Sequence, residues 1–474
     1  MEQYEALRRR YPRFFYRGYE IEETDAALGI TYHFEIEGLS SFAPKWTFPK
    51  SERSGDIVVD GLMERMIFSL GMVELVSYWK ITCSPQVVVE AGALNRDQIR
   101  WWKDLYYNGL GEFFYVNKIR NADPDGFMEI ECRERAGQTA AEHISAAEPA
   151  PQPSGRGISG ILVPIGGGKD SVVTLELLRQ ADVPLYGYII NSRGATVHTA
   201  RVAGLDGSRL MEVKRTLDKN MLELNRQGYL NGHTPFSALV AFSSLIAARL
   251  LKLSHVALSN ESSANESTVL GSTVNHQYSK SFKFEQDFHR YAAEYLPGSA
   301  YYFSLLRPLS EFQIARFFAR QKPYHAVFRS CNAGSKTDSW CGHCPKCLFV
   351  YVILSPFLAG DEVQAIFGTN MLEDASMAFT LDQLVGVEEE KPFECVGSRD
   401  EINTALVMTI DRLEAEGKAL PLLLEHYKQS GMYERSKAAG DCYSAYYDHE
   451  NLVPESLAGL VKRNCVAGAD TAIG

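Results

Sequence analysis

Apolar residues are scarce in the opening stretch of the sequence. It opens Met1-Glu2-Gln3-Tyr4-Glu5, so no secretory signal is predicted and a cytoplasmic protein is expected. A long uninterrupted apolar run is also missing. The most apolar stretch, Leu239 to Leu258, is broken by Arg249, Lys252 and His255, which excludes a membrane span there and predicts a buried helix running into a strand. Positive charge is in deficit, with 48 Lys and Arg against 59 Asp and Glu and a formal net charge of −11. That balance argues against a nucleic-acid binder working through bulk electrostatics, and an anionic substrate would need a local basic patch. Internal repeats are absent. The nine cysteines do not form a disulfide framework, because three crowd into one tight cluster; a reduced compartment with a metal or catalytic use is expected.

What remains is an ordinary soluble composition, 45% hydrophobic and 23% charged over 474 residues, enough for two or three domains with full cores. Residues 1–135 mix alternating strands, with Ile30, Tyr32, Phe34 and Ile36 on one face, and helical patterns at Leu62 to Tyr78 and Asp97 to Asn108; they read as an α+β domain. Residues 136–157, rich in Ala, Glu, Pro and Ser, read as a linker. Over 158–350 the pattern alternates: Ile161 to Ile165 as strand, Leu185 to Ile190 as strand, a helix around Phe236 to Leu251, and His255 to Ser259 as strand. Such alternation predicts an α/β fold, a doubly wound parallel sheet with ligands at the carboxyl ends of its strands. Residues 351–474 are mainly helical by pattern.

The chemistry concentrates at Gly166-Gly167-Gly168-Lys169-Asp170-Ser171, between the first of those strands and a helical pattern. Three glycines there let the backbone approach an anion, and the first N–H groups of the helix point at it with the positive end of the helix dipole behind them. A glycine-rich connecting turn would show the same glycines. The adjoining cation, carboxylate and hydroxyl favour a nucleotide site, with Gly166 to Ser171 on the phosphates and Asp170 on Mg²⁺. The commoner phosphate loop is excluded, because it needs four residues between its first Gly and Gly-Lys-Ser/Thr. The run instead resembles the Ser-Gly-Gly-x-Asp-Ser signature of the pyrophosphatase-loop superfamily, whose members cleave ATP at the α-phosphate and adenylate a substrate oxygen. Gly166 stands where that signature has Ser, so one expected hydroxyl contact is missing and backbone N–H groups must compensate.

A second cluster, Cys331-x9-Cys341-Gly-His343-Cys344-Pro-Lys346-Cys347, has spacings suited to four thiolates on one structural Zn²⁺; free cysteines in a turn are the alternative. Its place behind a pyrophosphatase loop resembles the deazaguanine nitrile synthases, as do Asn260 to Glu266, Tyr278-Ser279-Lys280 and Arg307-Pro308-Leu309-Ser310. That likeness covers about Ile158 to Phe349.

The whole layout resembles another family, the ATP-dependent epimerases of UDP-N-acetylmuramoyl-L-alanyl-L-glutamate. Their pattern is matched by Tyr16-Arg17-Gly18-Tyr19, by Leu70-Gly71-Met72-Val73-Glu74-Leu75-Val76-Ser77-Tyr78-Trp79-Lys80 with Cys83-Ser84-Pro85, by the glycine loop, by the cysteine cluster and by Lys391-Pro392-Phe393-Glu394-Cys395-Val396-Gly397. The resemblance implies an isomerase of peptidoglycan synthesis that uses ATP and Mg²⁺ on a UDP-linked muramoyl dipeptide, with neither nucleic acid nor membrane as partner. Lys169 would neutralise transition-state charge. Candidates for the epimerising base are His276, Lys280, Lys283, His289 and Glu261, with Cys331 or Cys344 if no zinc is held. Glu261, Arg307 and Arg329 are candidates for substrate binding; Arg307 and Arg329, with Arg316, Arg320 and Lys336, could form a basic patch for the substrate's anionic groups, a solvated helix face being the alternative for these basic residues. Another adenylating activity on a base or tRNA, and a non-catalytic ATP-binding module, are the competing readings.

Overall fold

The computed structural model describes residues 2–55, 57–119, 122–133, 157–265 and 277–468. Its strands are β1 (Arg13–Glu23), β2 (Ala27–Ile36), β3 (Ser40–Phe42), β4 (Lys45–Pro49), β5 (Gln86–Val89), β6 (Glu129–Cys132), β7 (Ile161–Pro164), β8 (Leu185–Ile190), β9 (Leu210–Thr216), β10 (His255–Leu258) and β11 (Tyr301–Ser304). The architecture is mixed α/β, with mostly parallel central strands and a helical C-terminal region. Among the described residues no helix is long and apolar enough to cross a membrane. The expected linker lies, except for its last residue, outside the described residues.

Two compact units form, each from three chain segments. One gathers Met1–Leu162, Met211–Val256 and Lys283–Tyr302; the other gathers Val163–Leu210, Ala257–Phe282 and Phe303–Gly474. These units do not follow the sequential order of the sequence reading. The reason is pairing: β9 joins β4 antiparallel, Trp46 opposite Arg215, and the helix Phe236–Leu250 packs on the helix Gly61–Trp79.

Four neighbouring strands run β11, β10, β7, β8; the C-terminal halves of β7, β10 and β11 belong to the second unit, where Leu305 N–H donates to the Leu258 carbonyl (2.9 Å) and Ile165 N–H to that of Tyr188 (2.8 Å). Because β7 and β10 are parallel, the loops leaving them emerge at the same edge. Asn260, just after β10, donates to Ser304 at the end of β11 (3.1 Å), so the loop after β11 starts there too. The helix Glu311–Ala319 then packs against the helices Lys169–Leu178, Pro345–Leu354, Arg399–Ala415 and Glu455–Cys465. The C-terminal helices therefore share a core with the glycine-loop helix.

In the first unit the order is β9, β4, β2, β1, β5, β6, with β3 on β2. Ile30, Tyr32, Phe34 and Ile36 are all buried, as the alternation predicts. The helix Gly61–Trp79 starts at Asp60, whose carboxylate accepts from Met63 N–H (3.0 Å). Within it Glu74 is wholly buried and takes three bonds, from Trp46 Nε1 (3.0 Å) and two arms of Arg215 (2.9 and 2.8 Å), so its charge is matched in place. Gly71 lets this helix close on the sheet: a Cβ there would lie 2.0 Å from Tyr16 Oη and 2.7 Å from Tyr32 Cε1. Gly71→Ala should therefore destabilise the protein by about 1–3 kcal/mol, the usual cost of overpacking, although alanine is the better helix former. Urea unfolding followed by tryptophan fluorescence reads this out. An unchanged midpoint would show that the helix does not sit this close to the aromatic face.

Candidate functional site

The glycine loop follows β7, and Lys169 is the first residue of the helix Lys169–Leu178. Its N-cap, Gly168, is extended and makes no side-chain cap bond, leaving the first helical N–H groups available to an anion. Gly167 has φ +80°, and a Cβ on it would meet the Ala195 and Thr196 backbone at 3.0 Å. Glycine is required there on both counts. Ser171 turns back, donating to the Gly168 carbonyl (2.9 Å), so its hydroxyl closes the loop in this conformation.

Lys169 is buried, and its ammonium is shared by Asp170 and Glu311. Burial alone would lower its pKa; the two carboxylates reverse this and hold it above the ordinary lysine value. Burial likewise works against ionisation of Asp170, yet Lys169, with Lys346 and Lys280 further out, keeps that carboxyl below its usual range. Glu311 differs. Burial, aided by Asp170 and Glu261, pushes it up to about 8 in spite of Lys169. Its backbone N–H donates to Glu401 (2.6 Å). The other Glu401 oxygen accepts from Ser398 N–H and Oγ (both 2.8 Å), capping the helix Arg399–Ala415. Burial still lifts Glu401 to about 7. The Phe349 ring lies beside two ammonium groups, Lys169 at 5.8 Å and Lys346 at 5.0 Å.

The loops after β10 and β11 bring the next layer. Arg307 is fully buried and clamps backbone, donating to the carbonyls of Glu261 and Lys280 (2.5 Å each). Lys280 reaches Cys395 Sγ at 3.2 Å; that sulfur, ahead of Glu261 and Asp170, raises Lys280 above its ordinary value despite burial. The segment 391–397 is fastened at several points: Lys391 Nζ donates to the Gly397 carbonyl (2.8 Å), Gln277 to that of Val396 (3.4 Å), and Asn332 to the Glu394 carboxylate (2.8 Å).

Of the residues picked from sequence, the second unit thus brings together Gly166 to Ser171, Glu261, Lys280, Arg307, Arg329 and the four cysteines. Lys283 is not among them. It belongs to the first unit, half exposed and paired with Asp104 (2.8 Å) and Asp287 (2.6 Å). His289, also of the first unit, stacks edge-on against Tyr301. His276 lies outside the described residues. Arg316 donates to the Cys465 carbonyl, a bond within the helical packing. Sequence reasoning missed Glu311, Glu401 and Cys395 as members of the site. Ser310-x-x-Gln313, a capping box, marked where the helix of Glu311 starts without revealing the lysine it faces.

The four cysteine sulfurs all lie within 4.8 Å of one another, with Cys331–Cys344 at 3.8 Å, Cys341–Cys347 at 3.6 Å and Cys344–Cys347 at 3.4 Å. Thiolates at about 2.3 Å from a tetrahedral Zn²⁺ stand about 3.8 Å apart, so the cluster fits that ion. Its contact with Cys347 pulls the Cys344 thiol down to about 5, and Gly334 N–H donates to Cys331 Sγ (3.2 Å). His343 stays outside, its ring against the Cys341 carbonyl (2.7 Å). None of the nine cysteines is in a disulfide.

Two family models cover most of the chain: the MurL N-terminal domain matches residues 5–305 and the MurL C-terminal domain residues 327–437. The chain belongs to the MurL family. Its similarity to curated MurL relatives is extensive. A protein of Xanthomonas oryzae pv. oryzae named UDP-N-acetyl-alpha-D-muramoyl-L-alanyl-L-glutamate epimerase is 36% identical over 353 residues, 73% of this chain and 74% of that protein. Proteins of the same name from a Micromonospora species and from Salinispora tropica are 31% identical over 85% of this chain and 88% of theirs, and 34% identical over 72% of each. No solved structure matches. The two MurL matches between them take in the glycine loop, the cysteine cluster and the segment 391–397.

If the four sulfurs of this MurL-family chain hold zinc, purified protein should carry about one zinc per chain, and a strong chelator should lower its melting temperature. Metal analysis and a thermal melt with and without chelator provide the check. Absence of zinc, with all four thiols reacting freely, would contradict it.

Proposed function

We propose that this chain epimerises the terminal L-glutamate of UDP-N-acetylmuramoyl-L-alanyl-L-glutamate to D-glutamate in peptidoglycan synthesis, and that ATP drives the reaction through an acyl-adenylate. The names of the three relatives supply the reaction and substrate. The observation that carries the ATP part is the uncapped helix start behind three glycines, with Lys169 and Asp170 at its first two positions.

The chemistry needs activation. Removing the α-proton of a carboxylate gives an enolate with two negative charges, whereas an acyl-adenylate gives one delocalised charge; every 1.4 kcal/mol saved is about tenfold in rate. The glutamate α-carboxylate attacks the α-phosphorus, the bond to the β-phosphate breaks and pyrophosphate leaves. The α-proton is then removed and one returned on the other face, and water splits the acyl–phosphate bond to release AMP.

In this reading the N–H groups of the helix start and Lys169 hold the phosphates, and Asp170 holds Mg²⁺, which offsets phosphate charge. Glu311, whose ionisation burial opposes in spite of Lys169, is the carboxylate anchor on Lys169 that is more easily given up, so the phosphates would take its place on the ammonium. For the proton transfer the favoured groups are Lys280 and Cys395. Lys280 is held in its charged form, so it acts as a proton donor or as the partner that keeps a neighbouring thiolate charged.

In deuterated water each turnover should place deuterium at the glutamate α-carbon and leave the alanine α-carbon protonated. Chiral analysis with mass spectrometry after acid hydrolysis reads both. AMP accumulating while the glutamate stays L and unlabelled would mean an adenylating enzyme of another kind.

A further inference from the structure

The glycine loop gives up a hydroxyl at its leading position, Gly166, and the structure places another one beside it. Residues Arg329 and Ser330 cross the loop as a strap. Arg329 N–H donates to the Gly167 carbonyl (2.7 Å). Ser330 packs on the next glycine, its Cβ only 3.2 Å and its Oγ 4.0 Å from where a Cβ on Gly168 would stand. The following residue, Cys331, belongs to the four-sulfur cluster, so the strap is anchored at its far end.

Ser330 Oγ is shielded from solvent and has no hydrogen-bond partner among the described residues, and the same holds for Arg329 Nε. A hydroxyl left without a partner away from water is costly, and native structures rarely keep one unless a ligand or ion completes it. The hydroxyl sits against the N-cap of a helix with no side-chain cap of its own, where an anion is favoured.

We propose that Ser330 supplies the hydroxyl contact to the nucleotide phosphates that Gly166 lacks, reaching the site from the strap rather than from within the loop. The inference rests on the ATP reading above and goes beyond it in naming a residue that the loop signature does not contain. It also explains why position 166 is free to be glycine. A Cβ there would meet nothing within 4 Å, so packing does not demand glycine at 166 as it does at 167. The cysteine cluster acquires a role as well, since it anchors the strap beside the glycine loop.

The test is binding, measured by isothermal titration with α,β-methylene-ATP, whose α–β linkage cannot be cleaved. Ser330→Ala keeps the Cβ that packs on Gly168 and removes only the hydroxyl. Its Kd for the analogue should rise about tenfold, the loss expected for a hydrogen bond to a charged group, while affinity for adenosine, which has no phosphate, stays the same. Gly166→Ser, made in the Ser330→Ala background, should bring the Kd back to within about threefold of the parent. Unchanged affinity of Ser330→Ala for the analogue would overturn the proposal and leave the ATP reading standing, and so would equal weakening towards analogue and adenosine. If the unmodified protein fails to bind the analogue at all, the ATP reading falls and this proposal with it.

Discussion

A buried ammonium has to be matched by negative charge, and in this chain Lys169 sets that requirement at the head of the glycine-loop helix. Leaving such a charge without a partner costs several kcal/mol. Asp170 comes with it in sequence, but Glu311 must be delivered from 142 residues further on. Much of the C-terminal region serves that delivery. Glu401 accepts the Glu311 N–H and is itself held by Ser398, and the segment 391–397 is fastened beside it. The helices Pro345–Leu354 and Arg399–Ala415 pack with the helix Glu311–Ala319. The extension beyond the cysteines is thus part of the site rather than an appendage.

Charge in this site is poised rather than saturated. Lys169, Lys280 and Lys346 surround Asp170, Glu261, Glu311 and Glu401, and burial has pushed two of the four carboxyls up towards neutral pH. On the ATP reading, incoming phosphates would compete with the second carboxylate for the Lys169 ammonium. Sites that handle anions and protons together are where such shifted values concentrate.

The fold was readable from sequence wherever periodicity carried it. Alternation of Ile30, Tyr32, Phe34 and Ile36 marked β2, and the stretch Phe236 to Leu251 closed as a helix within one residue of the expected end. The strand-to-helix junction at the glycines and the grouping of the four cysteines were readable because close spacing along the chain carries both. What sequence could not convey was partnership at long range. Lys280 stood out as a candidate, but its contact with Cys395 spans 115 residues. Arg307 looked like a ligand for anionic groups, whereas the fold spends two of its donors on the carbonyls of Glu261 and Lys280. Lys283 lies three residues from Lys280 but in the other compact unit, because the chain passes from one to the other between them.

The central claim is that the glutamate carboxylate is adenylated before its α-proton moves. The most direct measurement uses dipeptide substrate with ¹⁸O in the α-carboxylate of its glutamate, turned over with ATP in ordinary water. Adenylation followed by attack of water on the acyl carbon leaves one substrate oxygen on phosphorus, so the AMP formed should carry ¹⁸O as the glutamate is epimerised. Epimerisation accompanied by unlabelled AMP, or by no AMP at all, would contradict the account.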